Sequence, residues 1–530
     1  MDESTGNVIN ENVSRIIGRD AQRNNILAAK LVADIVKTTL GPKGMDKMLV
    51  DSAGNIIITN DGATILEEME IDHPAAKMIV EIAKTQESEV GDGTTTVALL
   101  AGKLMENAEK LIDKKIHPTV IVKGYRMAAE NAIEVLLEIS KEITNLHILK
   151  QIAITAMTGK GAEGNKEHLA EIIVNAVSQI AEGKEIDLND VKIEKVKGDS
   201  IGDSELVRGI VLAKEKANIE MPSKIINSKI LLVDFPLEIR NPETEAKISI
   251  SSPEQLESFI LREEQYLKDL TDTIILSGTN IVFCQKGIDD VAQYYLAKVG
   301  IMACRRVTKG DMEKISRATS GKIISNINDV TPEILGQAEL VEEIKRGEDA
   351  MIYIRGCKNP RAVSIVVRGG SIHVLDEVER AVKDGLGDVV SAIKNGKVVA
   401  GGGAVEMELS RRLKTYAKTL GGREQLAVEE FANAIESIPE TLAENAGLDP
   451  IDILTELRRS HEAGNVNYGL NLFTNKIEDT FIAGIIEPLK VKTQAITSAT
   501  EVANLILRID DVLVSKGSRN ARAQDYQGLD

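Results

Sequence analysis

The run Gly91-Asp92-Gly93-Thr94-Thr95-Thr96, continued by Val97-Ala98-Leu99-Leu100, decides how this chain is read. Its glycines let a backbone come close to a ligand. Its three hydroxyls open a helix whose free N–H groups and dipole favour an anion. Asp92 adds a hard oxygen suited to Mg2+. A Thr N-cap after a Gly turn accounts for one threonine, not for three beside an Asp-Gly. The stretch is read as a phosphate-binding corner at the head of a long helix.

Four further motifs flank it. Thr38-Thr39-Leu40-Gly41-Pro42-Lys43-Gly44 follows a strong helix; it fits an ordinary helix stop or a second phosphate loop. Asn60-Asp61-Gly62-Ala63-Thr64 fits a type I′ turn or a carboxylate held near the phosphate loops. Gly159-Lys160-Gly161-Ala162-Glu163-Gly164 satisfies GxGxxG, but the residues before it read as helix at least as well as strand. It is read as an interhelical loop, or as one whose Lys160 reaches a γ-phosphate. Gly401-Gly402-Gly403-Ala404 fits a hinge or a close backbone approach to a ligand. Asp384, taken alone, is a carboxylate near a helix end. No Gly-Lys is followed by Ser or Thr, so a Walker A loop is absent.

Composition narrows the classes. The 530 residues point to about three to four domains. The net charge of −18 argues against general binding of nucleic acid or of an anionic membrane. With 3% aromatic residues and no Trp, base or sugar stacking is poorly supplied, and cores must be built from Ile, Leu, Val, Ala and Met. Cys284, Cys304 and Cys357 lie far apart, against a disulfide framework or a zinc ribbon. The opening MDESTGNVINEN is the opposite of a secretory leader, and no apolar run reaches a membrane span. The expectation is a cytoplasmic protein.

Residues 16 to about 140 read as long helices with short strands; Leu27, Leu31 and Ile35 mark an apolar stripe, widened by Ile26 and Val36. Ile56–Ile58 reads as a strand, 74–89 and 94–113 as helices, and 146–180 as helical again. Apolar runs at 230–235, 281–284, 301–304, 323–327, 351–354 and 363–367 read as buried strands, with helices at 289–298 and 311–319. From Gly403 to about Val514 the pattern is helical, with one strand-like run near 481–486. The order predicts an α/β domain inserted into a helical one. Ser252-Pro253-Glu254-Gln255 reads as a helix start, and Leu256, Phe259, Ile260, Leu267 and Leu270 line one stripe. That helix either packs on the domain core or projects as an arm whose apolar face meets a partner, with Phe235, Phe259 and Tyr266 as its aromatics. Phe235–Ile239 and Ile248-Ser249-Ile250 are apolar stretches just before it. The polar tail, 516–530, reads as frayed.

Taken together, TLGPKG, NDGATIL, HPAAK, GDGTTT, TGKGAE, VKDGL, AGGGA, REQLA, TLAENAGLD and EPLKVKTQAI occur in the order of the chaperonin family. From about Asn12 to Val514 the chain resembles a group II chaperonin subunit, most closely of the archaeal thermosome kind. The resemblance implies a chaperonin fold, multidomain α and α/β. A helical equatorial ATPase domain would span 1–143 and 402–530, and a small intermediate hinge domain 144–213 and 366–401. An inserted α/β apical domain, 214–365, would bear a helical protrusion that forms a built-in lid at about 236–276. It further implies that Leu40, Gly41, Pro42, Gly93, Thr94, Thr95 and Thr96 cradle the phosphates of ATP, with Asp92 holding Mg2+. Asp61 and Asp384 would position the attacking water, Lys160 would sense the γ-phosphate, and Gly402, Asn471 and Glu487 would contact adenosine. The partners implied are identical or homologous subunits in two stacked rings and non-native client proteins, with no nucleic acid and no membrane. Two departures stand out: the tail RNARAQDYQGLD is not the Gly/Met-rich repeat common in the family, and Ala63 stands where Val is frequent.

An ATP-driven folding machine is the preferred reading. A regulatory subunit of a mixed ring, adding little ATPase of its own, is opposed by the intact Asp61, Asp92 and Asp384. A dehydrogenase using the GxGxxG predicts tight NAD binding.

Overall fold

The computed structural model describes residues 13–515 except 51, 53, 184, 240–251 and 347–348. The Ile248–Ile250 stretch and the 516–530 tail therefore lie outside the described residues. The chain forms two compact units, Met1–Lys160 with Ser391–Asp530, and Gly161–Val390.

The first unit is a stack of long helices. The helix Thr94–Asp113 runs through its centre and packs against Arg19–Lys37, Pro74–Val90, Glu424–Asn445 and Leu489–Leu507. Small residues set the spacing: a Cβ at Gly102 would lie 2.2 Å from the Ala33 Cβ, so the two helices approach at backbone distance. This corrects the stripe read on Arg19–Lys37. Leu27 and Leu31 are exposed, whereas Ala21, Ile26, Ala29, Val32, Ala33 and Val36 are buried. Alanines rather than leucines fit the close helix contact, which a periodicity of large residues misses.

The two ends of the chain meet in this unit, because Val13–Ile17 pairs antiparallel with Asp511–Ser515. A three-stranded sheet joins Lys141–Glu142, Lys397–Ala400 and Ile486–Pro488. The region after Gly403 is less purely helical than expected: Tyr468–Asn471 and Lys476–Asp479 form a hairpin, and the run at 481–486 is mostly turn, with its strand at Ile486–Pro488.

The second unit is α/β. Its larger sheet has the order Met302–Cys304, Ile281–Cys284, Lys224–Val233, Gly336–Arg346, Asp349–Arg355, Val211–Leu212. The first three strands run parallel and the rest antiparallel. Ile281–Cys284 is buried at every residue, as a strand covered on both faces must be. Gly336–Arg346 escapes sequence reading because its run of charges, Glu339 to Arg346, hides a strand with one half-wet face. A smaller sheet sets Val363–Gly369 between Val191–Lys197 and Glu205–Val207. Cys284, Cys304 and Cys357 are free and buried, and burial pushes their thiols up to about 11, 12 and 12.

The helix Pro253–Leu276 settles the two readings of its stripe by splitting them. Ser252 caps it, its Oγ accepting from Gln255 N at 3.3 Å. Leu267, Leu270, Thr271 and Ile274 are buried, but Ile260, Leu261 and Tyr266 are exposed. One face of its C-terminal half packs on the domain, while Ile260 and Leu261 in its N-terminal half, and Tyr266 and Leu276 beyond them, stay in solvent.

Candidate functional site

Four segments of the first unit meet at the head of the helix Thr94–Asp113. Gly91 (φ 93°) closes the helix Pro74–Val90 and Gly93 (φ 84°) opens Thr94–Asp113. Both angles lie where glycine is strongly favoured. A Cβ at Gly93 would lie 2.9 Å from Val491 and 3.0 Å from Gln86, so this backbone has no room for a side chain. Thr94 and Thr95 are buried and Thr96 is half-buried in the first turn, where backbone N–H groups have no helical partner.

Asp61 is not part of a hairpin turn. It caps the helix Gly62–Glu68, its Oδ2 accepting from Thr64 N at 2.8 Å and from Thr64 Oγ1 at 2.7 Å. Its Oδ1 accepts from Thr94 Oγ1 at 3.2 Å. Gly62 makes the juxtaposition possible, since a Cβ there would stand 2.6 Å from Thr95 Oγ1. The carboxylate of Asp61 is thereby fixed against the head of the second helix.

The Leu40–Gly44 turn lies alongside. A Cβ at Gly159 would fall 2.4 Å from Pro42 Cα, and Asn60 Nδ2 donates to Gly159 O at 2.9 Å. Gly41 (φ 80°) packs on Leu442. Lys160 Nζ stands 3.8 Å from Asp92 Oδ1, so the Asp92 carboxylate already faces a cation. The residues before Gly159 form the helix Leu146–Met157. The GxGxxG therefore follows a helix, not a strand, and the dinucleotide fold has no support.

On the far side, Gly401–Gly403 lies within the first unit. Gly402 O accepts from Leu470 N at 2.8 Å, and a Cβ at Gly401 would stand 2.6 Å from Glu487 Oε1. Asn471 is turned into its hairpin, donating to Glu478 at 2.6 Å and accepting from Phe473 N at 3.0 Å. That hairpin is anchored from behind by His461, whose Nε2 is 2.8 Å from Tyr468 O and whose Nδ1 is 3.0 Å from Glu408 Oε2. Burial pushes the Glu408 carboxyl up, but hydrogen bonds with His461, Arg411 and Arg412 outweigh it and leave it at about 2.

Asp384 belongs to the second unit. It sits mid-way along the helix Ile372–Asn395, not near an end. Gly385 and Gly387 do not break that helix because Ala381, Val382, Leu386 and Val389 bury its inner face.

Sequence reading missed several positioning residues. Asn445 donates to Lys37 O at 3.0 Å and Leu40 O at 2.9 Å, pinning the Leu40–Gly44 turn. Gln86, fully buried, donates to Asp92 O at 3.0 Å and Val491 O at 3.3 Å. Asn445 lay in view within TLAENAGLD; Gln86 left no signal in the sequence.

Known proteins resemble this chain along most of its length. The TCP-1/cpn60 chaperonin family matches residues 32–517. This chain belongs to that chaperonin family. It is 55% identical over 515 residues to the thermosome subunit of Methanopyrus kandleri, covering 96% of this chain and 94% of that one. It is 54% identical to thermosome subunit alpha of Archaeoglobus fulgidus, covering 96% and 95%, and 51% identical to the thermosome subunit of Pyrococcus horikoshii, covering 98% and 97%. The chaperonin chain is accordingly a group II chaperone that binds and hydrolyses ATP. No helix among the described residues is long and apolar enough to cross a membrane.

Proposed function

We propose that ATP is bound and cleaved at the corner formed by Asp61, Asp92, Thr94 and Lys160, and that this drives closure of a lid over a non-native client. The observation that carries the reading is that Asp61 is fixed on Thr94 at 3.2 Å while Lys160 stands beside Asp92, all in one glycine-walled corner. Phosphoryl transfer needs mainly positioning and charge neutralisation, so a helix N-terminus, one fixed carboxylate and one ammonium go far toward it.

Thr94–Thr96 and the backbone at Leu40–Pro42 and Gly93 hold the phosphates. Lys160 neutralises the terminal phosphate. Asp61 accepts a hydrogen bond from the attacking water and orients it. Asp92 holds Mg2+, and the fit is chemical: a single carboxylate is enough for an ion that takes its other ligands from phosphate and water. When bound, the ion offsets the charge that builds on the phosphate oxygens. Gly402 and Glu487, with Asn471 nearby, face the adenosine. Asp384 supplies the second carboxylate of the water-positioning pair, a role that rests on the family resemblance.

The division into equatorial, intermediate and apical domains, the lid at about 236–276, the two stacked rings of identical or homologous subunits, and the cytoplasmic location belong to the same proposal. The exposed Ile260, Leu261, Tyr266 and Leu276, with the exposed Tyr294 on the helix Asp290–Lys298 that contacts theirs, supply apolar surface of the kind a non-native chain would meet. Asp384→Ala tests the hydrolytic assignment: ATP still binds, while turnover falls by orders of magnitude. Unchanged turnover removes Asp384 from the reaction.

A further inference from the structure

Next to Gly401 lies a group of charges in which the buried Lys492 and Glu406 have no assigned role. Lys492, in the first turn of the helix Leu489–Leu507, is almost wholly buried. Its Nζ is 2.8 Å from Glu406 Oε1 and 2.5 Å from Glu487 Oε2. Glu406 comes from the first turn of Ala404–Ala417, directly after the triple glycine, and is equally buried. Glu487 is carried by the strand Ile486–Pro488, in register with Val399. One ammonium thus ties together a strand and the first turns of two helices.

The arrangement goes beyond what a counterion needs. Glu406 keeps one oxygen, Oε2, buried and without a hydrogen-bond partner among the described residues. A lysine serving Glu406 alone would be expected to satisfy that carboxylate first. Instead Lys492 reaches across to Glu487, whose other oxygen lies over Gly401 with no space for a Cβ between. Burial would strip the charge from Lys492, but Glu406 and Glu487 together hold it as an ammonium. Burial pushes the Glu487 carboxyl up; Lys492 opposes this and Glu406 adds to it. The same first turn is tied to the phosphate side, because Gln86 bridges Asp92 O and Val491 O.

We infer that Lys492 is a positioning residue for the nucleotide: it holds the Glu487 carboxylate against Gly401 and so sets how tightly the nucleoside end is bound. The inference rests on the reading that Glu487 faces the adenosine. Without Lys492, Glu487 loses the ion pair that holds it in place and leaves Gly401, whether or not Glu406 is charged.

The experiment is a thermodynamic cycle on the full-length assembled chain, with ADP affinity measured by calorimetry. Glu487→Gln weakens ADP binding by about tenfold, the loss expected for one charge-assisted hydrogen bond. Lys492→Met weakens it to a similar degree, and the double variant is no weaker than either single one. In ATP turnover, KM rises by a larger factor than kcat falls in Lys492→Met, whereas a general loss of folded protein lowers kcat and leaves KM alone. Should Lys492→Met fail to fold, Glu406→Gln/Lys492→Met removes the repulsion between the two carboxylates and is measured in its place, with the same loss of affinity expected. Full ADP affinity in that double variant makes Lys492 a mere counterion of Glu406 and overturns the inference. So do additive losses in the Glu487/Lys492 cycle. If Glu487→Gln binds ADP as the parent does, the reading of Glu487 itself fails, a result distinct from the other two.

Discussion

Two long helices, Thr94–Asp113 and Pro253–Leu276, make opposite uses of similar material. Both carry recurring Leu and Ile or Val, but only the second begins at a side-chain cap, Ser252, whereas the first opens at Gly93 with none. The first is buried on nearly every side, and its head is walled by glycines that leave room only for backbone. The second buries Leu267, Leu270 and Ile274 and leaves Ile260, Leu261 and Tyr266 in solvent. A helix closed on its neighbours can hold side chains at its head rigidly in place. An open helix cannot fix anything so finely, but it offers apolar surface to partners of many shapes. Chaperone work needs both: a rigid place for hydrolysis and an adaptable place for clients.

The sharpest way to break this comparison is to crowd the closed end. Gly93→Ala forces a Cβ against Val491 and Gln86 at a φ of 84°. It costs about 1–3 kcal/mol of stability, and ATP turnover is lost because the backbone of the phosphate corner shifts. Turnover at the parent level would mean that the corner is not where phosphate binds. A smaller contrast sharpens the open end. Leu267→Ala, at 1% exposure, destabilises the chain by about 2–5 kcal/mol in chemical denaturation. Leu261→Ala, at 58% exposure, changes stability by less than about 0.5 kcal/mol yet weakens capture of an unfolded client. Equal destabilisation by the two would place both halves of that helix in the core.

Legibility followed the same divide. The local geometry of the Asp61–Thr94 corner is legible because its requirements are local: glycines where φ is positive, hydroxyls in a first turn, a carboxylate at a cap. Asp61 shows where local reading stops. Its Asp-Gly fits a hairpin turn just as well, and only the packing of Gly62 on Thr95 makes it a cap aimed at Thr94. Lys492 was illegible for a related reason. A lone lysine in a helix reads as solvent-facing, and only the pairing of Glu487 with Val399 brings its partner within reach. The alanine face of Arg19–Lys37 is hard to see in the sequence because small residues carry little hydrophobic signal, although Ala33 sits where a Cβ on Gly102 could not fit. In the α/β unit, apolar strands were visible and the charged strand Gly336–Arg346 was not, since its inner face shows only once its neighbours cover it.

If hydrolysis at the Asp61 corner powers folding, recovery of a client must depend on it. A chemically denatured client enzyme is diluted into the assembled chain, and recovered activity is followed with ATP, without nucleotide, and with ATP and the Asp61→Asn chain. Asn keeps the helix cap but removes the charge that orients water. Recovery is expected only with ATP and the parent chain. Equal recovery without nucleotide, or with Asp61→Asn, would contradict it.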